Sequence, residues 1–334
     1  MKVALLGPIA WRTPPHAYGP WETVVSDLAE GLVRAGVDVT LFATADSITS
    51  ATLESVCPRP YNEDPQLDGR VWEALHVAHC LERSKDFDLV HNHLDWLPLA
   101  MSGLCRSRMI TTIHGIGDPR ILDAYRQSRS AFVSISDSDR VPGLEYLATV
   151  HHGIDSSRWP IVVDPGEGLV AFGRIHPDKA TADAIAIAKL CERPLILCGP
   201  IHDRDYFDAE VAPHIDDDRV RYLGNVGGED RACILGQAAA LLHPLGFDEP
   251  FGLSVVEAMF CGTPVVGYRR GALAETIDHG ITGYLVSDPE TAATAVPSAV
   301  ALDRSAIARH ARLRFSVDRM VRAYIGAYQR LCAA

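Results

Sequence analysis

The sequence contains no long apolar run: none of its segments approaches the roughly 18 consecutive apolar residues that a membrane-spanning helix needs. The apolar run near the N-terminus ends at Gly7-Pro8 and predicts a first β-strand rather than the core of a signal peptide. Positive charge is also scarce, because 31 Lys and Arg stand against 43 Asp and Glu, for a net charge of -12. This balance argues against a nucleic-acid partner and weakens the case for an anionic membrane surface.

Cysteine pairs and dinucleotide-binding glycines are absent too. The eight cysteines are scattered with no Cys-x-x-Cys pair, so we expect reduced thiols in a cytoplasmic protein rather than a disulfide framework or a zinc site. The loop after the first strand, Gly7-Pro8-Ile9-Ala10, lacks the glycine spacing of a dinucleotide-binding loop. A nicotinamide dehydrogenase is therefore disfavoured.

The sequence does contain a regular alternation of strand and helix patterns. Segments 2–7, 21–34 and 37–43 predict a β-α-β unit, and the alternation continues to residue 135. A second series begins at residue 169, after a segment at 155–168 with prolines and glycines that we interpret as a linker. This pattern predicts an α/β protein of two domains, each with a parallel sheet and functional residues at the carboxyl ends of its strands.

Three segments of the first half stand where such strands end or helices begin. Gly19 permits close approach of the backbone to an anion at the start of the first helix, although a capped helix entry with Pro20 in its first turn is the alternative. His114, at the end of an apolar strand, suits a catalytic or sugar-contacting imidazole as well as a structural one. His91 and His93 would share one face of a strand, and pocket lining or a polar loop is preferred over a metal site.

Two cations follow the first strand of the second half. Arg174 and Lys179 come directly after the apolar segment 169–172, so both converge on the mouth of that strand. Cations there can hold a diphosphate and neutralise the negative charge that develops when it leaves. A pair of unrelated surface cations is the alternative.

Two glutamates eight positions apart mark the most informative stretch, residues 243–267. Glu249 precedes a proline and should be extended, before a helix predicted over 253–261. Glu257 should lie about one turn inside that helix. Carboxylates at such a place suit the hydroxyl groups of a sugar, which donate hydrogen bonds.

The start of this helix is itself a candidate binding site. The free N–H groups of Gly252, Leu253 and Ser254 would point out of the helix and form a seat for a phosphate or another anion. The two glutamates therefore flank a predicted anion site, which favours the binding of a sugar phosphate.

These motifs resemble a known family in order, spacing and residues. Three segments of the second half resemble the nucleotide-sugar domain of retaining glycosyltransferases of family 4: GRIHPDK, GNV and HPLGFDEPFGLSVVEAMFCGTPVVGYRRGALAETIDHGITGYLV. In the first half, YGPWETVVSDLAEGLVRAGVDVTLFA resembles the family's glycine-rich loop and first helix. TIHG resembles its catalytic-histidine strand, and HHGID resembles the segment near its domain crossover. The resemblance covers essentially the whole chain and is most specific at the Glu-x(7)-Glu spacing.

The resemblance implies the GT-B fold, in which two Rossmann-like α/β domains with parallel sheets face each other and the last helix crosses back to the first domain. We accordingly expect an acceptor-side domain over residues 1–157, a nucleotide-sugar domain over 165–313 and a returning helix over 314–334. The resemblance also implies a nucleotide-sugar donor as substrate, with no metal and no other cofactor. It carries no expectation for the oligomeric state.

The resemblance further implies a role for each matching residue. Arg174 and Lys179 would bind the donor diphosphate and stabilise the leaving group. Glu249 would bind the hydroxyls of the transferred hexose, Glu257 those of the ribose, and His114 the donor sugar near its reacting carbon and 6-hydroxyl. Backbone groups would contact the diphosphate at Gly19, the base at Asn225 and Val226, and the phosphates and sugar at Phe251, Gly252 and Leu253.

Three departures from the family pattern concern the first domain. Pro20 stands where a second glycine is frequent, so one phosphate-contacting N–H is lost and we expect a stiffer loop. His152 stands where asparagine is usual. The first domain, which binds the acceptor, is also shorter than in many relatives.

The resulting expectation is a metal-independent, retaining transfer of a hexose from UDP-glucose or another UDP-hexose to an acceptor hydroxyl. Front-face attack is implied, with neither glutamate as a nucleophile. The alternatives are a sugar-nucleotide epimerase, a glycoside phosphorylase and a non-catalytic sugar-nucleotide-binding protein. A saccharide or small-molecule acceptor is preferred over a lipid phosphate at a membrane, for which the first half offers Arg106, Arg108, Arg120, Arg126 and Arg129.

Overall fold

Two parallel β-sheets contain all thirteen strands of residues 1–333, the part of the chain that this computed structural model describes. The chain divides into two units. Unit 1 comprises Met1–Gly153 and the C-terminal segment from Val317, and unit 2 is Ile154–Ser316. Both have the Rossmann-like alternation that the sequence predicts.

Unit 1 has a seven-stranded sheet in the order β3-β2-β1-β4-β5-β6-β7. The strands are β1 (Lys2–Leu6), β2 (Asp38–Phe42), β3 (Thr52–Glu54), β4 (Leu89–Asn92), β5 (Arg108–Ile113), β6 (Ser130–Ser134) and β7 (Tyr146–Thr149). The helices are α1 (Pro20–Arg34), α2 (Gly69–Arg83), α3 (Trp96–Ala100) and α4 (Leu122–Gln127). The strand order reverses between β1 and β4, so the loops after these strands lie at the topological switch point.

Unit 2 has a six-stranded sheet in the order β10-β9-β8-β11-β12-β13. The strands are β8 (Leu169–Phe172), β9 (Leu195–Cys198), β10 (Val220–Tyr222), β11 (Ala240–His243), β12 (Val265–Tyr268) and β13 (Gly283–Val286). The helices are α5 (Thr181–Leu190), α6 (Arg204–Tyr206), α7 (Gly228–Gln237), α8 (Leu253–Phe260), α9 (Leu273–Thr276), α10 (Pro289–Val300) and α11 (Arg304–Phe315). A π-helical turn at Phe207–Val211 continues α6. The switch point lies between β8 and β11, the two strands whose following loops carry the predicted site residues.

The last helix, α12 (Val317–Ala333), packs on unit 1, as predicted for a returning C-terminal helix. Gly31 of α1 allows α1 and α12 to pack closely, because a Cβ at this position would lie 2.6 Å from methyl carbons of both Val317 and Val321. Tyr324 and Tyr328 of α12 are completely buried. The core of unit 1 therefore includes residues from both ends of the chain.

The structure differs from the predicted elements chiefly at short strands. The pattern analysis missed β3, β7 and β12. The first two are edge strands of three and four residues with half-buried side chains, too short to show an alternating pattern. The strand β12 begins directly after the Gly-Thr-Pro segment that follows the helix predicted over 253–261, and the pattern analysis assigned no element to it.

The segment interpreted as a linker packs against unit 2. The N–H of Val162 donates to the carbonyl oxygen of Cys261 at 3.0 Å, and the N–H of Gly166 donates to that of Gln237 at 2.8 Å. The chain passes between the units after Gly153 and again after Ser316, a few residues from the predicted positions at 157 and 313. No helix among the described residues combines the length and the apolar character that crossing a bilayer requires.

Candidate functional site

The predicted diphosphate-binding cations lie in the loop after β8, beside the switch point of unit 2. The N–H of Gly173 donates to the carbonyl oxygen of Cys198 at 3.0 Å, so the neighbouring strand β9 anchors the start of this loop. Lys179 ends a short 3-10 turn that begins at Pro177. The loop segment that carries Arg174 and Lys179 is thus fixed by backbone hydrogen bonds at both of its ends.

Lys179 and Glu249, which are 70 positions apart, form an ion pair. The Lys179 Nζ donates to Glu249 Oε2 at 2.7 Å, and the two side chains are only 17% and 14% exposed. The same ammonium group lies 4.6 Å from the centroid of the Phe247 ring. The structure therefore brings together two of the residues predicted for the diphosphate and for the hexose.

Arg174 has a carboxylate partner that the sequence analysis did not assign. Its Nη2 donates to Asp178 Oδ2 at 2.5 Å, within the same loop. A guanidinium group has five N–H donors, so this one bond leaves donors for an anion. Asp178 also fixes the direction of the arginine side chain.

A cavity at the carboxyl ends of β8 and β11 is lined in part by Arg174, Lys179 and His243. His243 is buried, and its Nε2 has no hydrogen-bond partner among residues 1–333 although Glu249 Oε2 is 3.9 Å away. Burial lowers the pKa of His243 to about 4, so the ring is neutral at pH 7. The sequence analysis missed His243, although its place at the end of an apolar strand is the signal that singled out His114.

The backbone of Glu249 is held by the loop after β12. The N–H of Ala272 donates to the carbonyl oxygen of Glu249 at 2.8 Å, and the N–H of Gly271 donates to Asp248 Oδ1 at 3.2 Å. Gly271 has a φ of +51°, and a Cβ there would lie 2.4 Å from the Glu249 carbonyl oxygen. Only glycine fits this contact without displacing Glu249, and the sequence analysis did not assign it.

The start of α8 has the geometry that an anion seat requires. Gly252 precedes the helix with a φ of +87°, and no side chain caps the helix start. The backbone N–H groups of Leu253 and Ser254 fall in the first turn, where the helix dipole favours negative charge. Phe251 is buried beneath this turn. Anion binding at the seat stays a prediction.

Glu257 is paired with a cation that the sequence analysis missed. Arg231 of α7 donates from Nε to Glu257 Oε2 at 2.8 Å, and its Nη2 donates to the same oxygen. The guanidinium carbon lies 4.6 Å from the centroid of the Phe172 ring. Arg231 lies near the start of α7, where a cation opposes the helix dipole. This unfavourable position is the sequence feature that could have indicated a specific role for Arg231.

Asn225 and Val226 lie in the connection from β10 to α7. Asn225 is exposed and Val226 half-buried. The connection leads into α7, the helix that carries Arg231. It begins at β10, however, which is two strands away from β8 in the sheet. The predicted contact of their backbone with a base is not tested by any contact within unit 2.

In unit 1, Gly19 is the N-cap residue of α1, and Pro20 opens the helix. The Gly19 carbonyl oxygen accepts hydrogen bonds from both the N–H and the hydroxyl of Thr23, each at 2.9 Å. The buried carboxylate of Glu22 accepts from the N–H of Trp11 at 3.1 Å, and burial raises the pKa of Glu22 to about 7. The helix therefore begins at Pro20 as the alternative proposed, but no side chain caps its start, and the contact with a diphosphate stays a prediction.

His114 ends β5 and lies between two rings. The Trp21 ring stacks on one side with a centroid distance of 5.1 Å, and the His152 ring on the other at 5.1 Å. The Nε2 of His114 is 2.9 Å from His93 Nδ1, whereas its buried Nδ1 has no partner among residues 1–333. Burial lowers the pKa of His114 to about 3, so the imidazole is neutral at pH 7.

His91 and His93 are fully buried, which does not fit the expected pocket lining or polar loop. They form hydrogen bonds with other side chains of unit 1, including Tyr328 of α12. In the part of the chain that the structure describes, no three His, Cys, Asp or Glu side chains are grouped to hold a metal ion. None of the eight cysteines forms a disulfide.

Two family models match the chain: the model described as Glycosyltransferase Family 4 matches residues 21–141, and the model described as Glycosyl transferases group 1 matches residues 166–301. A glycogen synthase of Mycobacterium tuberculosis is 27% identical over 375 residues, which cover 93% of this chain and 90% of that protein. The similarity extends over both units.

Two solved structures have the same fold as this chain. AviGT4, a glycosyltransferase involved in avilamycin A biosynthesis, superimposes with a TM-score of 0.80 at 26% identity, over 100% of this chain and 98% of its own. Anabaena HepE in complex with UDP-glucose gives a TM-score of 0.74 at 20% identity, over 99% of this chain and 100% of its own. These likenesses confirm the predicted GT-B fold.

Proposed function

Because the chain belongs to glycosyltransferase family 4, we propose that it transfers a hexose from a nucleoside-diphosphate sugar to an acceptor hydroxyl, with retention of anomeric configuration. The ion pair between Lys179 and Glu249 is the observation that carries the proposal. It joins a phosphate-binding cation to a hydroxyl-binding carboxylate within 2.7 Å. A ligand in which a sugar is bonded directly to a phosphate would present both groups to these neighbouring side chains.

The donor would be held by groups at the switch point of unit 2. Arg174, Lys179 and the start of α8 would bind the diphosphate, and Glu249 would accept hydrogen bonds from the hexose. Both Arg231 donors are directed at Oε2 of Glu257, and no donor of residues 1–333 reaches Oε1. That second oxygen would accept the ribose hydroxyls.

The cations would also assist the chemistry. When the bond to the sugar breaks, negative charge develops on the departing diphosphate, and positive charge already in place stabilises it without reorganisation. Arg174 and Lys179 supply this charge, so we propose that the reaction needs no metal ion. The leaving phosphate would take the acceptor proton during front-face attack, and neither glutamate would serve as a nucleophile.

UDP-glucose or another UDP-hexose is our proposed donor. The HepE structure holds UDP-glucose in the same fold, and the related glycogen synthase is named for the synthesis of a glucose polymer. These likenesses support a glucosyl donor. We propose that contacts of Glu249 with individual hydroxyls select the hexose.

For the acceptor we propose a saccharide or another polyhydroxylated small molecule. Two of the five arginines that would serve a lipid phosphate are already paired, Arg120 with Asp118 at 2.6 Å and Arg126 with Asp123 at 3.2 Å. Carboxylates beside the guanidinium groups weaken the attraction for a phosphate. Unit 1 therefore favours an uncharged acceptor.

The test is a transfer assay with a panel of nucleotide sugars and saccharide acceptors in the presence of a chelator. We expect an α-linked product from an α-configured UDP-hexose, identified by mass spectrometry and proton NMR. Inversion or strict metal dependence would overturn the mechanism. Product formed without acceptor would identify an epimerase, dependence on free phosphate a phosphorylase, and donor binding with neither transfer nor hydrolysis a binding protein.

A further inference from the structure

A chain of buried hydrogen bonds runs through unit 1 from the C-terminal helix to His114. Tyr328 OH is 2.7 Å from His91 Nδ1, His93 Nε2 is 3.4 Å from the same His91 nitrogen, and His93 Nδ1 is 2.9 Å from His114 Nε2. Tyr328, His91 and His93 have no exposed surface, and His114 is 8% exposed. We call these four residues the histidine chain.

Each imidazole of the histidine chain is neutral at pH 7. Burial lowers the pKa of His91 and of His114 to about 3, and it lowers the pKa of His93 well below its ordinary value. A neutral imidazole has one N–H donor and one acceptor nitrogen. Every bond between the rings therefore has one donating and one accepting partner, and the chain has a direction.

Tyr328 decides that direction. Its phenol is completely buried and stays protonated, because burial raises its pKa well above the ordinary value. Among residues 1–333, the one hydrogen-bond partner of this hydroxyl is His91 Nδ1. A buried O–H without an acceptor is unfavourable, and a phenol is a stronger donor than the aliphatic hydroxyl of Thr112, which also meets Tyr324 OH and can rotate. We therefore assign Tyr328 as the donor to Nδ1, which places the proton of His91 on Nε2. That Nε2 donates to Thr112 Oγ1 at 2.8 Å.

The remaining bonds follow from this assignment. If Nε2 of His93 carried no proton, its lone pair would face the lone pair of His91 Nδ1 at 3.4 Å, so Nε2 of His93 carries the proton, shares this acceptor with Tyr328, and leaves Nδ1 of His93 without one. The Nδ1 of His93 then accepts from Nε2 of His114. His114 is left with a lone pair on Nδ1, the buried nitrogen that has no partner among the described residues.

We propose that Tyr328, through His91 and His93, holds His114 in the tautomer with its proton on Nε2, so that Nδ1 is an acceptor for a sugar hydroxyl. The identity of the ligand, a sugar hydroxyl, rests on the proposed function, whereas the tautomer of His114 does not. The stack of Trp21 and His152 restricts the ring plane of His114. Tyr328, His91 and His93 would therefore be positioning residues, and His114 would bind a hydroxyl rather than donate a proton.

The direct test is the tautomer of His114 in the full-length protein labelled with nitrogen-15 histidine, with and without Tyr328→Phe. Long-range proton–nitrogen spectra distinguish a protonated from an unprotonated ring nitrogen. We expect an unprotonated Nδ1 in the wild type and a mixture of tautomers in Tyr328→Phe. A protonated Nδ1 of His114 in the wild type would overturn the proposal, whether or not the variant folds.

The matched control is Tyr324→Phe, one turn earlier on the same helix. It also removes one buried hydroxyl, but that hydroxyl is bonded to Thr112 Oγ1 at 2.8 Å and not to His91. We expect the wild-type tautomer in this variant. An unchanged tautomer in Tyr328→Phe, or the same change in both variants, would contradict the directing role of Tyr328.

A kinetic measurement tests the consequence for the substrate. The preference for UDP-glucose over its 6-deoxy analogue, as a ratio of kcat/KM values, should fall about 2- to 10-fold in Tyr328→Phe and remain unchanged in Tyr324→Phe. An unchanged preference in Tyr328→Phe would contradict the link to the sugar hydroxyl. If no donor is transferred at all, the proposed function fails while the tautomer measurement still decides this inference.

Discussion

At the residue scale, the candidate site of unit 2 is organised by pairs of opposite charge. Lys179 pairs with Glu249, and Arg231 pairs with Glu257, although the partners in each pair come from different loops or helices. Half-buried pairs of this kind hold long side chains in one conformation. The polar atoms that remain outside each pair then meet a donor substrate in a defined arrangement.

We expect Lys179→Ala to lower kcat/KM for transfer by about 100- to 1,000-fold, the usual loss when one group that stabilises developing charge is removed. The lysine is only 17% exposed and its removal leaves Glu249 unpaired, so we also expect a lower unfolding midpoint, which is measured separately from the kinetic loss. Transfer kinetics with UDP-glucose and thermal unfolding are the measurements.

Lys189→Ala is the matched control for Lys179, because Lys189 lies on the exposed end of α5 and contacts His214 rather than the site. It should retain wild-type turnover. Comparable activity in the two variants would remove Lys179 from the proposed mechanism.

Glu22 should make unit 1 more stable in acid than in base. Burial raises the folded-state pKa of Glu22 from 4.5 to about 7, so the folded protein binds a proton more tightly than the unfolded chain does. The resulting contribution to stability is complete below pH 4.5 and is lost as the pH rises through 7. Glu22→Gln should remove this dependence and stabilise the protein at pH 8, by at most about 3 kcal/mol.

Urea unfolding of the wild type and of Glu22→Gln between pH 5 and 8 would measure this effect. Glu63→Gln, at an exposed position of the same unit, is the control and should keep the wild-type pH dependence. Parallel curves for wild type and Glu22→Gln would show that the carboxyl group is ionised in the folded protein.

At the element scale, the loop after β12 positions the loop after β11. Gly271 contacts the Glu249 backbone so closely that its substitution must move one of the two loops. Sequence patterns predicted the helix after this glycine but not the contact, because Gly271 and Glu249 are 22 positions apart. The position of the Glu249 carboxylate, for which we propose hexose binding, thus depends on a glycine in a different loop.

We expect Gly271→Ala to reduce kcat/KM by at least about tenfold, since a displacement near 1 Å at a positioning group has effects of this size or larger. A left-handed backbone also disfavours alanine, at a cost of about 1–2 kcal/mol in the free energy of unfolding. Turnover and urea unfolding measure the two effects separately.

Gly280→Ala separates the contact from the backbone conformation. Gly280 has a φ of +78°, but a Cβ there would meet no atom within 4 Å. Its stability loss should be limited to the cost of the left-handed backbone and so be smaller than that of Gly271→Ala, while its activity stays near wild type. Equal activity losses in the two variants would refute the positioning role of Gly271.

At the scale of the whole molecule, the fold of unit 1 depends on the last helix of the chain. The helix α12 contributes Val317, Met320, Val321, Tyr324, Ala327 and Tyr328 to buried positions. Its tyrosine hydroxyls also form buried hydrogen bonds with Thr112 and His91 in the core of unit 1.

A chain that ends at residue 316 should therefore lose the folded state of unit 1 and keep that of unit 2. Limited proteolysis should cut residues 1–153 rapidly and leave residues 154–316 protected. A chain that ends at residue 331 loses only the exposed end of α12 and is the control, with wild-type protection expected. Protection of residues 1–153 in the shorter chain would show that α12 is dispensable.

Much of the architecture was predictable from local patterns. Apolar periodicity indicated most strands and helices, and the glycine and proline signals around residues 250–264 located α8 within one residue of its observed end at Phe260. The structure brings Arg174, Lys179 and Glu249 together near the carboxyl ends of β8 and β11, where functional side chains are expected to collect in parallel sheets. Short edge strands escaped prediction because three or four residues show no periodicity.

By itself, the sequence determined two α/β units, the order of the motifs and the position of the start of α8, because these depend on residues close together in the chain. Only the tertiary structure decided which side chains become partners: Arg231 with Glu257, Gly271 with Glu249, and Tyr328 with His91, which is 237 positions away. Hydrogen bonds and ion pairs act over a few ångströms. They are therefore specified by packing that brings distant segments together, which no local pattern contains.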